Sequence, residues 1–223
     1  MDLNIGKVIF LSSRLYSGGI MKIKYLSHAC FEISDGKRIL IDPYFTGNNL
    51  APKYEGTPDI ILVTHEHFDH FDKPFIGRFP KAKVVVTPAC EYPKAIVMRV
   101  GEKREIDGVN VEMIPASHHQ SRYPTGYILE FEGKRIVHLG DCYLDGVKPL
   151  ERIDVLLIPI GGTYTMDVDE ALKALDVLKP KLAIPMHYNT FPQVKANPET
   201  FKRGAERKGY NVKVLRIGEE VVV

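Results

Sequence analysis

The chain has 223 residues, 44% of them hydrophobic, and a formal net charge of +2 from 30 basic and 28 acidic side chains; this composition is typical of one large domain with its own core. The near-neutral charge indicates no extended basic face for nucleic acid, so a small-molecule substrate is expected. Three widely spaced cysteines, Cys30, Cys90 and Cys142, argue against a disulfide framework and for a reducing, cytoplasmic location, and the lack of an apolar run of about 18 residues argues against a membrane span.

The first twenty residues precede the regular part of the sequence. Their apolar run from Val8 to Leu11 is too short for a secretory signal. We expect residues 1–20 to be an N-terminal extension or a mis-called start, with Met21 as the native first residue. Residues 21–223 are expected to form the functional domain.

From Lys22 onward, short strands alternate with turns. Residues 22–26, 30–33 and 38–41 predict an antiparallel meander, and the apolar run DIILVT at 59–64 predicts a strand buried on both faces. One helix is expected from Asp167, where Glu170 completes a capping box, to Pro180, and another after Pro198. Further strands are predicted at 83–88, 110–116, 126–133, 134–141, 154–160 and 211–217.

Residues 64–72, THEHFDHFD, place three histidines and two aspartates directly after the strand predicted at 59–64. Neither helical nor strand periodicity explains the spacing of the group His65, His67, Asp69 and His70. Imidazole and carboxylate are ligands for zinc, iron, manganese and nickel, and ligand sites gather beyond the carboxyl ends of strands. The pattern H-x-H-x-D-H therefore predicts a metal site, with a solvated surface turn as the alternative.

Three further candidate ligands follow later strands. His118 lies in PASHH, Asp141 in HLGDC and His187 in IPMHYN. Side chains at the ends of separate strands can meet, so we expect these three to join the histidine-rich loop. In an extended segment His119 cannot face the same way as His118, and His118 is preferred as the ligand.

The order H-x-H-x-D-H, then His118, Gly140-Asp141 and His187, resembles the metallo-β-lactamase superfamily over residues 21–223. The segments IDPYFTGN, LLIPIGGTYTM and KPKLAIPMHYNTFP are similar to small metal-dependent hydrolases related to ascorbate-6-phosphate lactonase. The resemblance implies an α/β fold, a four-layer αββα sandwich. It also implies a hydrolase that uses a hydroxide bridging two divalent metal ions to attack a lactone, ester or phosphoester bond of a small molecule.

The same resemblance implies the ligands of the two ions. Zinc is favoured, with manganese, nickel and iron as alternatives. One ion would be bound by the three histidines His65, His67 and His118. The other would be bound by Asp69, His70 and His187, and Asp141 would bridge the two ions.

Residues near these motifs have competing interpretations. His28, in LSHACFEI, either orients substrate or a metal ligand or is a hydrogen-bonded core histidine; together with Asp69 it is the candidate for a catalytic role beyond metal binding. Asp42 either holds a ligand histidine from behind or is a turn residue that ends a strand. His138 is expected in the core or at the surface, and Cys142 is expected to point away from the metals.

Two other functions fit part of the pattern. A nuclease or phosphodiesterase acting on RNA or DNA would usually carry an inserted domain or basic arm, for which the stretch between Asp141 and His187 leaves little room. A non-hydrolytic di-iron redox protein typically has glutamate where this chain has His67, and it needs a flavin domain. We therefore expect a hydrolase with no nucleic-acid or membrane partner, and whether it forms a homo-oligomer is left open.

Overall fold

The structure, a computed structural model, describes residues 20–223. The expectation about residues 1–20 concerns, apart from Ile20, residues outside this range and stays a prediction. The described helices are α1 Lys73–Ile76, α2 Val168–Leu178 and α3 Pro198–Arg207. The described strands are β1 Lys22–Ser27, β2 Cys30–Asp35, β3 Lys37–Ile41, β4 Ile60–Leu62, β5 Lys83–Val86, β6 Ile96–Val97, β7 Lys103–Ile106, β8 Val109–Pro115, β9 Thr125–Phe131, β10 Lys134–His138, β11 Val155–Pro159, β12 Leu182–Met186 and β13 Glu220–Val222.

The strands form two mixed sheets. The first has the order β13-β1-β2-β3-β4-β5-β6 and the second the order β12-β11-β10-β9-β8-β7. β1, β2 and β3 form the predicted antiparallel meander, whereas β3, β4 and β5 run parallel, as do β10, β11 and β12. Because parallel strands end at the same edge of a sheet, the loops that follow them lie side by side.

The main core lies between the two sheets and contains apolar side chains from both of them. Phe31 on β2 and Tyr127 on β9 are fully buried there. The outer face of the second sheet is covered by α2 and α3, whose Leu175 and Phe201 are completely inaccessible to solvent. This helical layer accounts for one side of the sandwich.

The outer face of the first sheet is covered mostly by aromatic side chains from loops. α1 is a single turn, capped by Asp72, and its Phe75 ring stacks on Phe45 with centroids 4.0 Å apart. Tyr54 and Phe79 complete this aromatic layer against buried Leu40 and Ile61. The predicted four-layer αββα sandwich is therefore confirmed, although one helical layer is only one turn long.

The capping box at the start of α2 is present as predicted. The Glu170 backbone N–H donates to Asp167 Oδ1 at 2.9 Å, and the Asp167 N–H donates to Glu170 Oε2 at 3.2 Å. Ala171 and Leu178 face the core, whereas Leu172 is only partly buried. None of the helices within residues 20–223 is long and apolar enough to span a membrane.

The strand predicted at residues 211–217 is wrong. Only Val212 forms an isolated bridge there, parallel to Ala183, and the terminal strand is β13, which pairs with β1. Residues 211–213 exchange backbone hydrogen bonds with Ala183 and then leave that edge. A turn at Gly218, which has a φ of +84°, brings the last residues back alongside β1.

Candidate metal centre

The histidine-rich loop begins where β4 ends, and hydrogen bonds to its backbone carbonyls hold it in place. The Tyr127 hydroxyl donates to the Val63 carbonyl at 2.8 Å, and the Thr125 hydroxyl donates to the Thr64 carbonyl at 2.6 Å. Beyond them, the N–H groups of His70 and Phe71 both donate to the His67 carbonyl. This tight turn brings the histidines of the loop onto one side.

A first group of candidate ligands contains three histidines and one carboxylate. His67 Nδ1 lies 3.0 Å from His65 Nε2 and 3.3 Å from His118 Nε2. Asp141 Oδ2 lies 3.8 Å from His65 Nε2 and 3.7 Å from His118 Nε2. All four ligand atoms lie within 4.8 Å of one another, close enough to contact a single ion.

A second group of candidate ligands lies beside the first. It contains His28, Asp69, His70 and His187, whose ligand atoms also fall within 4.8 Å of one another. The other Asp141 oxygen, Oδ1, lies 3.1 Å from His187 Nε2 and 3.3 Å from His70 Nε2. Asp141 therefore has one carboxylate oxygen facing each group.

Hydrogen bonds on the outer side of the rings determine which nitrogens carry protons. His118 Nδ1 donates to the Tyr164 carbonyl at 3.0 Å and His67 Nε2 donates to the Gln120 carbonyl at 3.1 Å, because a carbonyl only accepts. The nitrogens that face Asp141 and His65 are therefore left with lone pairs. Neutral imidazoles in this tautomer can bind a metal ion.

One buried carboxylate orients a histidine in each group. Asp42 Oδ2 accepts from His70 Nδ1 at 2.8 Å and from the Thr64 hydroxyl at 2.7 Å. That hydroxyl is in turn 3.1 Å from His65 Nδ1, whose proton it accepts. The structure thus has Asp42 directly behind His70, the first of the two interpretations of this residue, and it also links Asp42 to His65 through Thr64.

Three atoms at the centre of the site have no hydrogen-bond partner. His70 Nε2, His187 Nε2 and Asp141 Oδ1 are buried and point toward one another. When His70 is neutral with its proton on Nδ1, the lone pair of its Nε2 faces the Asp141 carboxylate oxygen. A buried polar group without a partner is costly, and a cation among these atoms would remove the cost, so the residues fit a metal ion.

His28 lies in the second group and is also completely buried and hydrogen-bonded; its role in orienting substrate or a metal ligand stays a prediction. Its Nε2 lies 3.1 Å from Asp69 Oδ2 and its Nδ1 lies 3.0 Å from the Thr190 hydroxyl. Because a carboxylate only accepts, Nε2 carries the proton and Nδ1 accepts from Thr190. The His28 ring also packs on His187, with centroids 3.9 Å apart.

Burial and neighbouring charges set the protonation states around the centre. Burial would lower the pKa of His70, but the carboxylates of Asp141 and Asp42 raise it well above its ordinary value, so a cation bound there would replace a proton of that imidazole. Burial lowers the pKa of His65 well below its ordinary value. Burial and the neighbouring His187 lower the pKa of His28 to about 4, although the hydrogen bond to Asp69 opposes this. Burial would raise the pKa of Asp141, but the adjacent histidines hold it well below its usual range. Neutral imidazoles and an ionised carboxylate are the forms that bind metal ions.

Three residues of the site adopt the left-handed backbone conformation. His28 and His187 both have φ of +58°, and Asp42 has φ of +46°. This conformation is uncommon outside glycine, although Asn, Asp and His adopt it more often than other residues. Each residue ends or follows a strand, so the sharp change of direction turns its side chain into the site at a cost in backbone strain.

Three neighbouring residues lie apart from the two groups, as expected. His119 is exposed and stacks on Tyr143, with centroids 5.2 Å apart. His138 is buried in the core and donates from Nε2 to the Ala29 carbonyl at 2.9 Å. The Cys142 thiol donates to the Tyr143 carbonyl rather than facing Asp141.

Glu66 was missed by the sequence interpretation and has a structural role beside the centre. Its Oε1 accepts from the Arg122 backbone N–H at 2.7 Å and its Oε2 accepts from the Ser121 hydroxyl at 2.9 Å. These bonds connect the histidine-rich loop to the segment after His118. The only sequence signal was its position between His65 and His67.

A cavity of about 580 Å³ opens over the centre. Candidate ligands from both groups line its floor, and aromatic and polar side chains form its walls. The described lining residues are Glu66, His67, Phe68, Asp69, His118, Gln120, Asp141, Tyr164, His187, Phe191, Gln193 and Val194.

Known proteins share both the sequence and the architecture. Residues 22–187 match the model of the family described as "Beta-lactamase superfamily domain". A UPF0173 metal-dependent hydrolase of Pyrococcus horikoshii is 41% identical over 227 residues, covering 91% of this chain and 99% of that protein. Another, from Nanoarchaeum equitans, is 40% identical and covers 90% and 99%. The structure of Igni18, a novel metallo hydrolase from Ignicoccus hospitalis, superposes with a TM-score of 0.80 at 32% identity, covering 92% of this chain and 98% of that one.

Proposed function

The chain belongs to the β-lactamase superfamily and is a metal-dependent hydrolase, and we propose that it binds two divalent ions and hydrolyses a lactone, ester or phosphoester bond of a small molecule. The predicted superfamily membership is thereby confirmed. The closer relation to ascorbate-6-phosphate lactonase stays a prediction, since no relative named above carries that activity in its description.

One observation carries the proposal of two ions. The two carboxylate oxygens of Asp141 face two different groups of ligand atoms, one on each side. In the proposed assignment His65, His67 and His118 bind one ion; Asp69, His70 and His187 bind the other; and Asp141 bridges them. Zinc is the favoured metal, because nitrogen and carboxylate ligands suit it, with manganese, nickel and iron as alternatives.

The ions, when bound, would supply a hydroxide nucleophile at neutral pH and would polarise the oxygen of the group attacked. The residues of the chain then position the substrate and move protons. Asp69 lines the cavity and is held by the N–H of His28, so its carboxylate can accept the remaining proton of the hydroxide after attack and pass it to the leaving group. His28 is kept in its tautomer by Thr190.

Metal content and turnover measured together test this function. Protein purified without chelator is expected to contain close to two metal equivalents by mass spectrometry. It should hydrolyse at least one of a simple lactone, a carboxylic ester and bis-p-nitrophenyl phosphate, and lose that activity on treatment with chelator.

A variant of the bridging residue sharpens the test. Asp141→Ala should lose at least one metal equivalent and nearly all turnover, because both groups lose a ligand oxygen. Asp145→Ala, an exposed aspartate four residues further on, is the matched control and should retain both. Full metal content and turnover in Asp141→Ala would show that the bridging carboxylate is wrongly assigned.

A further inference from the structure

The cavity over the candidate metal centre has an apolar aromatic wall. Phe68 stands between His67 and Asp69 in the chain, yet 68% of its surface is exposed. Its ring meets Tyr44 edge-on with centroids 5.8 Å apart and Phe191 with centroids 6.1 Å apart. We call Phe68 and Phe191 the aromatic wall.

The aromatic wall is supported from behind. Tyr44 is buried and lies 6.0 Å, centroid to centroid, from Phe191. The rings of Tyr44 and Phe191 also contact His28, with centroids 5.8 and 5.4 Å away. A fixed apolar surface that borders a cavity gains free energy when an apolar ligand covers it.

The charged lining residues are all acidic. Within residues 20–223, the cavity lining contains no lysine or arginine, and its charged carboxylates are those of Glu66, Asp69 and Asp141. Arg122 lies nearby, but its guanidinium donates to the Ala89 carbonyl and faces Glu66. A charged group that loses water without gaining a partner is strongly disfavoured.

We propose that the substrate carries an uncharged apolar group, an aromatic ring or an acyl chain, next to the bond that is cleaved, and that this group packs against Phe68 and Phe191. The inference rests on the proposed hydrolase function and narrows its substrate class. It excludes substrates with a phosphate group outside the reacting bond, since no described side chain of the cavity would neutralise that phosphate.

Two matched substrate pairs test the proposal. The first pair is γ-butyrolactone carrying a pentyl chain and the same ring carrying a phosphomethyl group. The second is phenyl p-nitrophenyl phosphate and methyl p-nitrophenyl phosphate, which share the reacting bond. In whichever pair is hydrolysed, kcat/KM is expected to be at least about tenfold higher for the pentyl or phenyl member, because the pentyl chain or phenyl ring is buried against the aromatic wall.

Variants of the aromatic wall identify its contribution. Phe68→Ala and Phe191→Ala should reduce the preference for the apolar member to about threefold or less, chiefly by raising its KM, while Phe68→Leu should keep most of it. Val177→Ala, an exposed apolar residue of α2, is the control and should leave both members unchanged.

Binding gives a readout that does not depend on turnover. Benzylphosphonate and methylphosphonate carry the same head group, so calorimetry should find the benzyl compound bound at least about tenfold more tightly by the metal-containing wild type. In Phe191→Ala the two dissociation constants should converge.

The outcomes separate the two proposals. Equal kcat/KM within each pair, insensitive to both alanine variants, would overturn the aromatic wall and leave the hydrolase function intact. A preference for the phosphomethyl lactone that is lost in Lys195→Ala would also overturn it, because Lys195 is an exposed cation in the groove on which Phe191 borders. Absence of both metal and turnover would overturn the proposed function and this inference with it.

Discussion

Asp42 never reaches the cavity, yet it orients a histidine in each ligand group. Its carboxylate accepts from the Thr64 backbone N–H at 2.8 Å as well as from the Thr64 hydroxyl and His70. Three donors thus converge on two oxygens that are completely buried. An amide in this position would turn its own N–H group toward at least one of these donors.

Asp42→Asn is therefore expected to weaken metal binding by about 10- to 100-fold, the range found for partners of ligand histidines. It should also lower the free energy of unfolding by about 1–3 kcal/mol, because a buried donor loses its acceptor. Calorimetric metal titration and thermal unfolding in chelator measure the two effects.

The matched control is Asp59→Asn. Asp59 likewise accepts from a backbone N–H, that of Arg38, at 2.8 Å, but it lies near the start of β4, away from the ligand groups. This variant should lose some stability and keep its metal affinity. A similar loss of affinity in both variants would show that Asp42 acts only through general stability.

Thr64→Val tests separately the two branches of the Asp42 hydrogen-bond network, one that leads to His65 and one that leads to His70. Valine keeps the shape of threonine but removes the hydroxyl between His65 Nδ1 and Asp42, while His70 keeps its own bond to Asp42. We expect the affinity for one ion to fall and the affinity for the other to change little, which metal titration resolves as one weakened step. Equal weakening of both steps would contradict the assignment of His65 and His70 to different ions.

At the scale of the elements, close approach of two backbones fixes the position of His187. β11 and β12 run parallel, and the loop after β11 passes the end of β12 at Gly161. A Cβ atom at Gly161 would collide with the His187 carbonyl oxygen and would also press on Val194. Both obstacles belong to the packed interior, so neither can move without displacing the site.

Gly161→Ala should therefore reduce stability by about 1–3 kcal/mol, as overpacking does elsewhere, and should weaken metal binding through His187. Gly204→Ala in α3 is the control, since its Cβ would lie 2.6 Å from the end of the flexible Leu172 side chain. Leu172 can move, and alanine favours the helix by up to about 1 kcal/mol. Thermal unfolding and metal titration of both variants measure these effects. A larger loss of stability or metal affinity in Gly204→Ala than in Gly161→Ala would contradict the importance of the close approach at Gly161.

On the scale of the whole molecule, the three cysteines report on both outer layers of the sandwich. Cys30 and Cys90 lie in the aromatic layer over the first sheet, and Cys142 lies under the helical layer over the second. All three are free and buried. A thiol reagent at pH 8 should label none of them quickly in the native protein and all three in denaturant.

Burial also raises the pKa of Cys90 from 9.0 to about 11, so its thiol stays protonated in the folded state when an unfolded thiol ionises. The unfolded chain then loses protons first, and stability should fall as the pH rises from about 9 to 11. Denaturant titrations at pH 8 and 10 measure this loss, and Cys90→Ser should diminish it. Rapid labelling of one native cysteine at pH 8 would contradict the burial of that thiol.

The sequence by itself determined the composition of the candidate centre and most of the secondary structure. The H-x-H-x-D-H spacing, the strand ends before His118 and Asp141 and the capping box at Asp167 are local features, written within a few consecutive residues. Local patterns of this kind fix which side chains are available and which edge of a sheet they occupy.

Only the tertiary structure decided how those side chains are paired. His28 meets Asp69, Asp42 meets His70, and both pairs join segments that are distant in the chain. The aromatic wall likewise arises because Phe191 comes to stand beside Phe68. Such contacts depend on how two sheets pack and on where a few residues adopt positive φ, and neither property has a periodic signal in the sequence. The sequence could therefore predict which candidate ligands the fold brings together, whereas the pairing of Asp42 with His70 and the aromatic wall could not be predicted from it.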